Sequence, residues 1–198
     1  MTTTLGAAAG CLGTAAIGFV EKQYIDPGYV YNGVLAGLVS ITSPCAVVSP
    51  RGAILVGAIG AFVYVGASKG VKAAGIDDAV DAFAVHGACG MWGVIACGLF
   101  ATPFYYGVSY YSDRADDCAG VFFGGKASGS LAAAFACVFV ILAWVGSTMG
   151  LLFGTLKATG LLRVSQEIED AGLDDSKHGG AMSEVVAASV DGVKATEA

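Results

Sequence analysis

Five stretches of this chain, residues 1–20, 28–50, 52–68, 82–112 and 127–156, contain no Asp, Glu, Lys or Arg. A helix needs about 20 mostly apolar residues to cross a hydrocarbon core roughly 30 Å thick, and each stretch meets or approaches that length. The runs are continuously apolar and do not alternate at a spacing of two, so they predict helices and not barrel strands. Composition agrees, because 56% of the 198 residues are hydrophobic and only 13% are charged. That leaves too little polar surface to coat a water-soluble globule. The expected fold is an all-α polytopic membrane protein with about five transmembrane helices. Residues 1–162 form the membrane region, and residues 163–198 form a polar, acidic tail whose end, 183–198, is expected to be disordered.

The first apolar run has no basic lead-in and is not read as a signal peptide. It starts inside an apolar segment, so the chain is expected to be a piece of a longer one. Lys and Arg near the run ends set orientation. With a cytosolic tail, Lys22, Lys69, Lys72, Lys157 and Arg163 lie inside, and Arg51, Arg114 and Lys126 outside. This bias favours a cytosolic C-terminus.

Several function classes drop out. A net charge of −6 gives no support for nucleic-acid binding. There is no paired nucleophile and base, no metal-ligand cluster and no phosphate loop, so neither an enzyme nor a cofactor or metal site is expected. Five of the six cysteines lie in apolar runs and read as small buried hydrophobes. The glycine pairs Gly6/Gly10, Gly33/Gly37, Gly146/Gly150 and Gly150/Gly154 each fall on one helix face, a pattern that lets helix backbones approach closely.

One ionisable group lies deep in a run. His86 follows the acidic segment Asp77, Asp78, Asp81 by about a turn, and an intramembrane histidine faces a bundle interior or an aqueous path. At ordinary helical spacing it shares a face with Ala82, Cys89, Gly90, Gly93 and Cys97. Those small side chains leave room for either a narrow lumen or a closely packed helix. Carboxylates at a helix start are stabilised by free N–H groups and the dipole, which accounts for Asp77 and Asp78. The same role is open to Asp81. Trp92 reads as packing or an interface anchor.

The segment IDDAVDAFAVHGACGMWGVIACGLFA resembles the tenth membrane helix of ammonium transporters of the Amt/Mep/Rh family, departing at Ala79, where many members have proline. The segments TTTLGAAAG, YNGVLAGLVSIT, AWVGSTMG and LLRVSQEIEDAGLDDSKHGG resemble, in order, parts of the seventh, eighth and eleventh helices and the cytosolic extension. The plant and algal branch is most similar. The resemblance implies ammonium or ammonia as substrate, a multi-pass location in the plasma membrane, a homotrimer in the full-length protein and an eleven-helix fold of which this chain holds the last five. It implies that His86 is the second of two pore histidines that relay a proton. Asp81 then lies near the inner mouth, with Asp78 just outside it, and Ser176 stands at a phosphorylatable position in a tail segment that docks beneath a neighbouring pore. A non-conducting membrane sensor or assembly subunit with the same fold is the alternative.

Overall fold

The computed structural model describes residues 1–110 and 112–173. The chain divides into two units, Met1–Leu142 and Ala143–Ala198. Among the described residues all regular structure is helical. It comprises α1 (Thr2–Lys22), α2 (Pro27–Thr42), α3 (Pro50–Ala73), a π-helical turn (Phe83–Ala88) running into α4 (Cys89–Phe100), α5 (Pro103–Ser109), two short 3-10 turns (Ser112–Arg114 and Val121–Phe123), a second π turn (Ala127–Leu131), α6 (Ala132–Ala158) and α7 (Gln166–Ala171).

Proline and its neighbour set three of the helix starts. Asp26, Ser49 and Thr102 each precede a proline and cap the helix behind it, accepting from Gly28 N at 2.7 Å, Gly52 N at 3.1 Å and Tyr105 N at 3.3 Å. Proline suits the first helical position, where its missing N–H would find no partner anyway. Proline also limits the second apolar run. Pro44 has no N–H to continue the helical ladder, and α2 ends at Thr42. Residues 43–49 form turns instead of continuing the span.

The all-helical membrane fold expected from the apolar runs is present, although the helix in the second run is shorter than the run itself. Four helical stretches are long and apolar enough to cross a membrane: Thr2–Lys22, Pro50–Ala73, Phe83–Phe100 and Gly129–Ala158. The 16-residue α2 falls short, at about 24 Å. The fourth run is interrupted at residues 101–102, where Thr102 N donates to Val47 O at 2.8 Å and ties the break to the turns after α2.

Within the first unit, α1, α2 and α3 pack through glycine. A Cβ on Gly10 would come 2.7 Å from Gly37 Cα, and Gly57 lies directly against the Gly6 backbone. Thr14 Oγ1 donates to Tyr29 O at 2.7 Å across the same contact. The Gly6/Gly10 and Gly33/Gly37 pairs thus do what their spacing suggests. Gly146, Gly150 and Gly154 have open space where a Cβ would stand. Of the cysteines, Cys89 alone is fully buried; Cys11, Cys45, Cys97 and Cys118 are partly exposed and Cys137 exposed, because much of each helix faces outward.

Trp92 bridges α4 to α3, donating from Nε1 to Val56 O at 3.0 Å and meeting Phe100 edge-on at 6.4 Å. It is a packing residue.

Candidate functional site

The loop between α3 and the first π turn carries the acidic segment, and its carboxylates have separate jobs. Asp78 accepts from Ala82 N at 2.7 Å and Phe83 N at 2.9 Å, satisfying two of the unpaired N–H groups that open the membrane helix. This is the helix-start role expected of it.

Asp81 does something else. Its backbone sits in the left-handed region at φ 54°, an uncommon and costly place for a residue with a Cβ. Its carboxylate turns back onto α3, accepting from Ser68 Oγ at 2.7 Å and Tyr64 Oη at 2.9 Å. Asn32 of α2 reaches the same group at 3.5 Å and also donates to Tyr64 Oη at 3.0 Å. Lys72 Nζ stands 3.4 Å away and donates to Ser68 Oγ at 3.0 Å. Burial pushes the Asp81 carboxyl up, but the Ser68 and Tyr64 hydrogen bonds and the Lys72 charge outweigh it and hold the group below the usual carboxylate range.

Asp81 lines a cavity of about 350 Å³ with Asn32, Tyr64, Ser68, Lys72 and Asp26. Lys22 and Lys69 also line it, the first paired with Asp26 and lying over the Tyr29 ring at 5.1 Å, the second paired with Glu21. The cavity therefore gathers both short connections, α1 to α2 and α3 to α4, at one end of the first unit. Lys22, Lys69 and Lys72 come together there, as the charge pattern predicts.

His86 is in the middle of the π turn and is exposed. Its neighbours Ala84, Val85 and Cys89 are buried against α2 and α3. No hydrogen bond to the imidazole is found among the described residues. Of the residues expected to share its face, Ala82 is exposed, Gly90 and Cys97 are partly exposed, and Cys89 and Gly93 are buried, so that set is not uniformly packed. Nor does the structure bring His86 to the cavity, whose lining contains Asp81 but not the imidazole.

The sequence reading missed Tyr64 and Ser68 as site residues. A signal was present: Tyr64, Ser68 and Lys72 recur every four residues on one face of an otherwise apolar helix, ending beside Asp81. Ser176 and the disordered end expected for 183–198 lie outside the described residues.

Comparison with known proteins comes out consistently. A family model described as Ammonium Transporter Family matches residues 1–183. Ammonium transporter 1 member 2 of Arabidopsis thaliana is 41% identical over 185 residues, covering 91% of this chain and 34% of that protein. Ammonium transporter 1 member 1 of Oryza sativa subsp. japonica is 38% identical over 181 residues, covering 91% and 35%. The chain thus spans about a third of the length of these relatives. Among solved structures, Mep2 of Candida albicans superposes with a TM-score of 0.74 at 22% identity, over 84% of this chain and 36% of that one, a likeness of fold. A structure described as a sensor Amt protein gives 0.74 at 28% identity, over 89% and 40%.

Proposed function

Since the chain belongs to the ammonium transporter family, we propose that it forms one wall of a path by which ammonium or ammonia crosses the membrane, with His86 lining that path and relaying a proton. The observation that carries this reading is an exposed imidazole, without a hydrogen-bond partner among the described residues, inside an apolar span. A buried structural histidine would have found a partner, because unpaired polar groups in an apolar setting are costly. A π turn presenting it is also a feature often met at functional sites. Neutral imidazole has one donor and one acceptor, so it can take a proton on one nitrogen and release one from the other without holding charge in hydrocarbon.

The cavity at Asp81 serves as the inner vestibule, and Asp78 closes the helix start beside it. The three lysines gathered there support a cytosolic position for this end by the positive-inside rule. The tail, residues 163–198, follows on the cytosolic side of a plasma-membrane protein. The outward face that carries His86 needs a further wall, which the other helices of the eleven-helix fold supply within each subunit of the homotrimer.

Uptake of labelled methylammonium by this chain co-expressed with the remaining helices of a relative, in an uptake-deficient yeast strain, tests the role of His86. His86→Ala should lower flux by about 100-fold, the scale of a lost positioned proton-transfer group, and His86→Glu should lower it less, since a carboxyl still exchanges a proton. Wild-type flux in both variants would end the proposal. The likeness to a sensor Amt protein supports a second reading, in which the fold binds ammonium without conducting it. Saturable binding without flux in the wild type would favour that reading.

A further inference from the structure

The Asp81 carboxylate is filled from four sides. Oδ2 takes Tyr64 at 2.9 Å and Asn32 at 3.5 Å, and Oδ1 takes Ser68 at 2.7 Å with the Lys72 ammonium at 3.4 Å. Four acceptor positions are about what an ionised carboxylate offers. Three of the four partners belong to the walls: Tyr64 and Ser68 are buried side chains of α3, and Asn32 is on α2. The fourth is different in kind. The Lys72 side chain is 66% exposed, against 14% for Asp81, and reaches the site on a flexible four-carbon stem.

The lysine head is an alkylated ammonium ion, and here it uses N–H groups on a carboxylate and a hydroxyl at the edge of a cavity of about 350 Å³. We infer that Asp81, Ser68 and Tyr64 form a seat for a small monovalent cation bearing N–H donors, and that Lys72 occupies this seat as a tethered competitor. The choice of ammonium as that cation rests on the transport reading, whereas the seat rests on geometry. The seat is fixed and its occupant is not. Asp81 is locked by its wall bonds and by its left-handed backbone, so its carboxylate stays when Lys72 swings out. The other two lysines at the cavity are engaged elsewhere, Lys22 with Asp26 and Lys69 with Glu21. An exposed ion pair of this kind is weak and is readily exchanged for a mobile ion. The seat would hold ammonium only when Lys72 leaves, which makes Lys72 a brake on cation occupancy at this mouth.

Thermal unfolding of the detergent-purified protein in ammonium chloride and in choline chloride, at matched ionic strength, tests this without requiring flux. A ligand that binds the folded state raises Tm, and choline carries no N–H donor. Lys72→Met should gain an ammonium-specific rise of about 2–4 °C over the wild-type response. The gain should vanish in Lys72→Met combined with Ser68→Ala or with Asp81→Asn. Lys72→Arg, which keeps a tethered cation, should respond as wild type does. Equal shifts of Lys72→Met in the two salts would overturn the inference, as would a gain that survives in the double variants. Loss of uptake in His86→Ala together with no gain in Lys72→Met would defeat the seat and leave the transport reading standing.

Discussion

Asp81 and His86 stand five positions apart and answer to different forces. Asp81 is held by polar partners and gives up favourable backbone geometry to meet them; His86 has no such partner among the described residues and is placed by backbone alone. For Asp81 the sign of the pH dependence follows from its lowered pKa. The unfolded carboxyl titrates near 3.8 and the folded one below it. Its contribution to stability is therefore complete above the ordinary carboxylate range and is lost as pH falls through the lowered value. Asp81→Asn should flatten that acid-side loss in a series of melts between neutral and strongly acid pH. Ser68→Ala removes a hydrogen bond to a charged group and should cost about 1.5–3 kcal/mol in denaturation of the purified protein. Asp78→Ala uncaps two N–H groups at the π turn and should cost about 0.5–2 kcal/mol by the same measurement. The sequence made the acids visible but not their division of labour. Asp78 and Asp81 look alike in a line of text, and only the left-handed turn at Asp81 sends one to the helix start and the other to α3.

Helix identity was legible in the sequence because apolar runs free of charge have few ways to fold in a bilayer. Two features escaped. Pro44 sits inside an uncharged run, and hydropathy takes no account of backbone, so α2 read as a longer span than it is. The π turn at Phe83–Ala88 leaves no mark in composition, so a spacing of 3.6 residues per turn does not reveal it. Glycine spacing fared better where two helices supplied matching pairs. It gave no guide in α6, whose Gly146, Gly150 and Gly154 face open space. The α1 to α2 contact offers a direct check. Gly10→Ala puts a methyl 2.5 Å from Gly33 O and 2.7 Å from Gly37 Cα, with backbone on both sides that cannot rotate away. Gly10→Ala should cost about 1–3 kcal/mol, and Gly150→Ala should leave the melting curve of the purified chain unchanged.

At the scale of the molecule, what the described residues expose matters more than what they bury. Of the most apolar stretch of Gly129–Ala158, only 6% is buried, and Phe139, Trp144 and Leu151 are each more than 70% exposed. Those faces suit lipid or neighbouring helices. His86 is the exception, an ionisable group on an outward face that lipid serves poorly. The second wall proposed for the path is suggested only by resemblance, because a partner histidine on another helix would leave no trace in this stretch of sequence. Expression of these 198 residues alone in uptake-deficient yeast should give no growth on limiting ammonium. Co-expression with the missing helices of a relative should restore it.

The shortness of α2 bears on how the chain is made. At 16 residues it is a poor signal for insertion, and the carbonyls of Cys45, Ala46 and Val47 in the following turns are satisfied, among the described residues, only by Thr2, Ser109 and Thr102, which lie outside α2. Its entry into the bilayer must then depend on neighbours already emerging from the ribosome. α1 offers a glycine-lined flank, and α3 follows within eight residues of the end of α2. Biogenesis would proceed by a three-helix packet, not helix by helix. In a translocon reporter assay with glycosylation sites at both flanks, α2 alone should insert inefficiently, and α1 to α3 together should insert well. Gly37→Val, which blocks the α1 contact without lowering hydrophobicity, should return the packet to poor insertion.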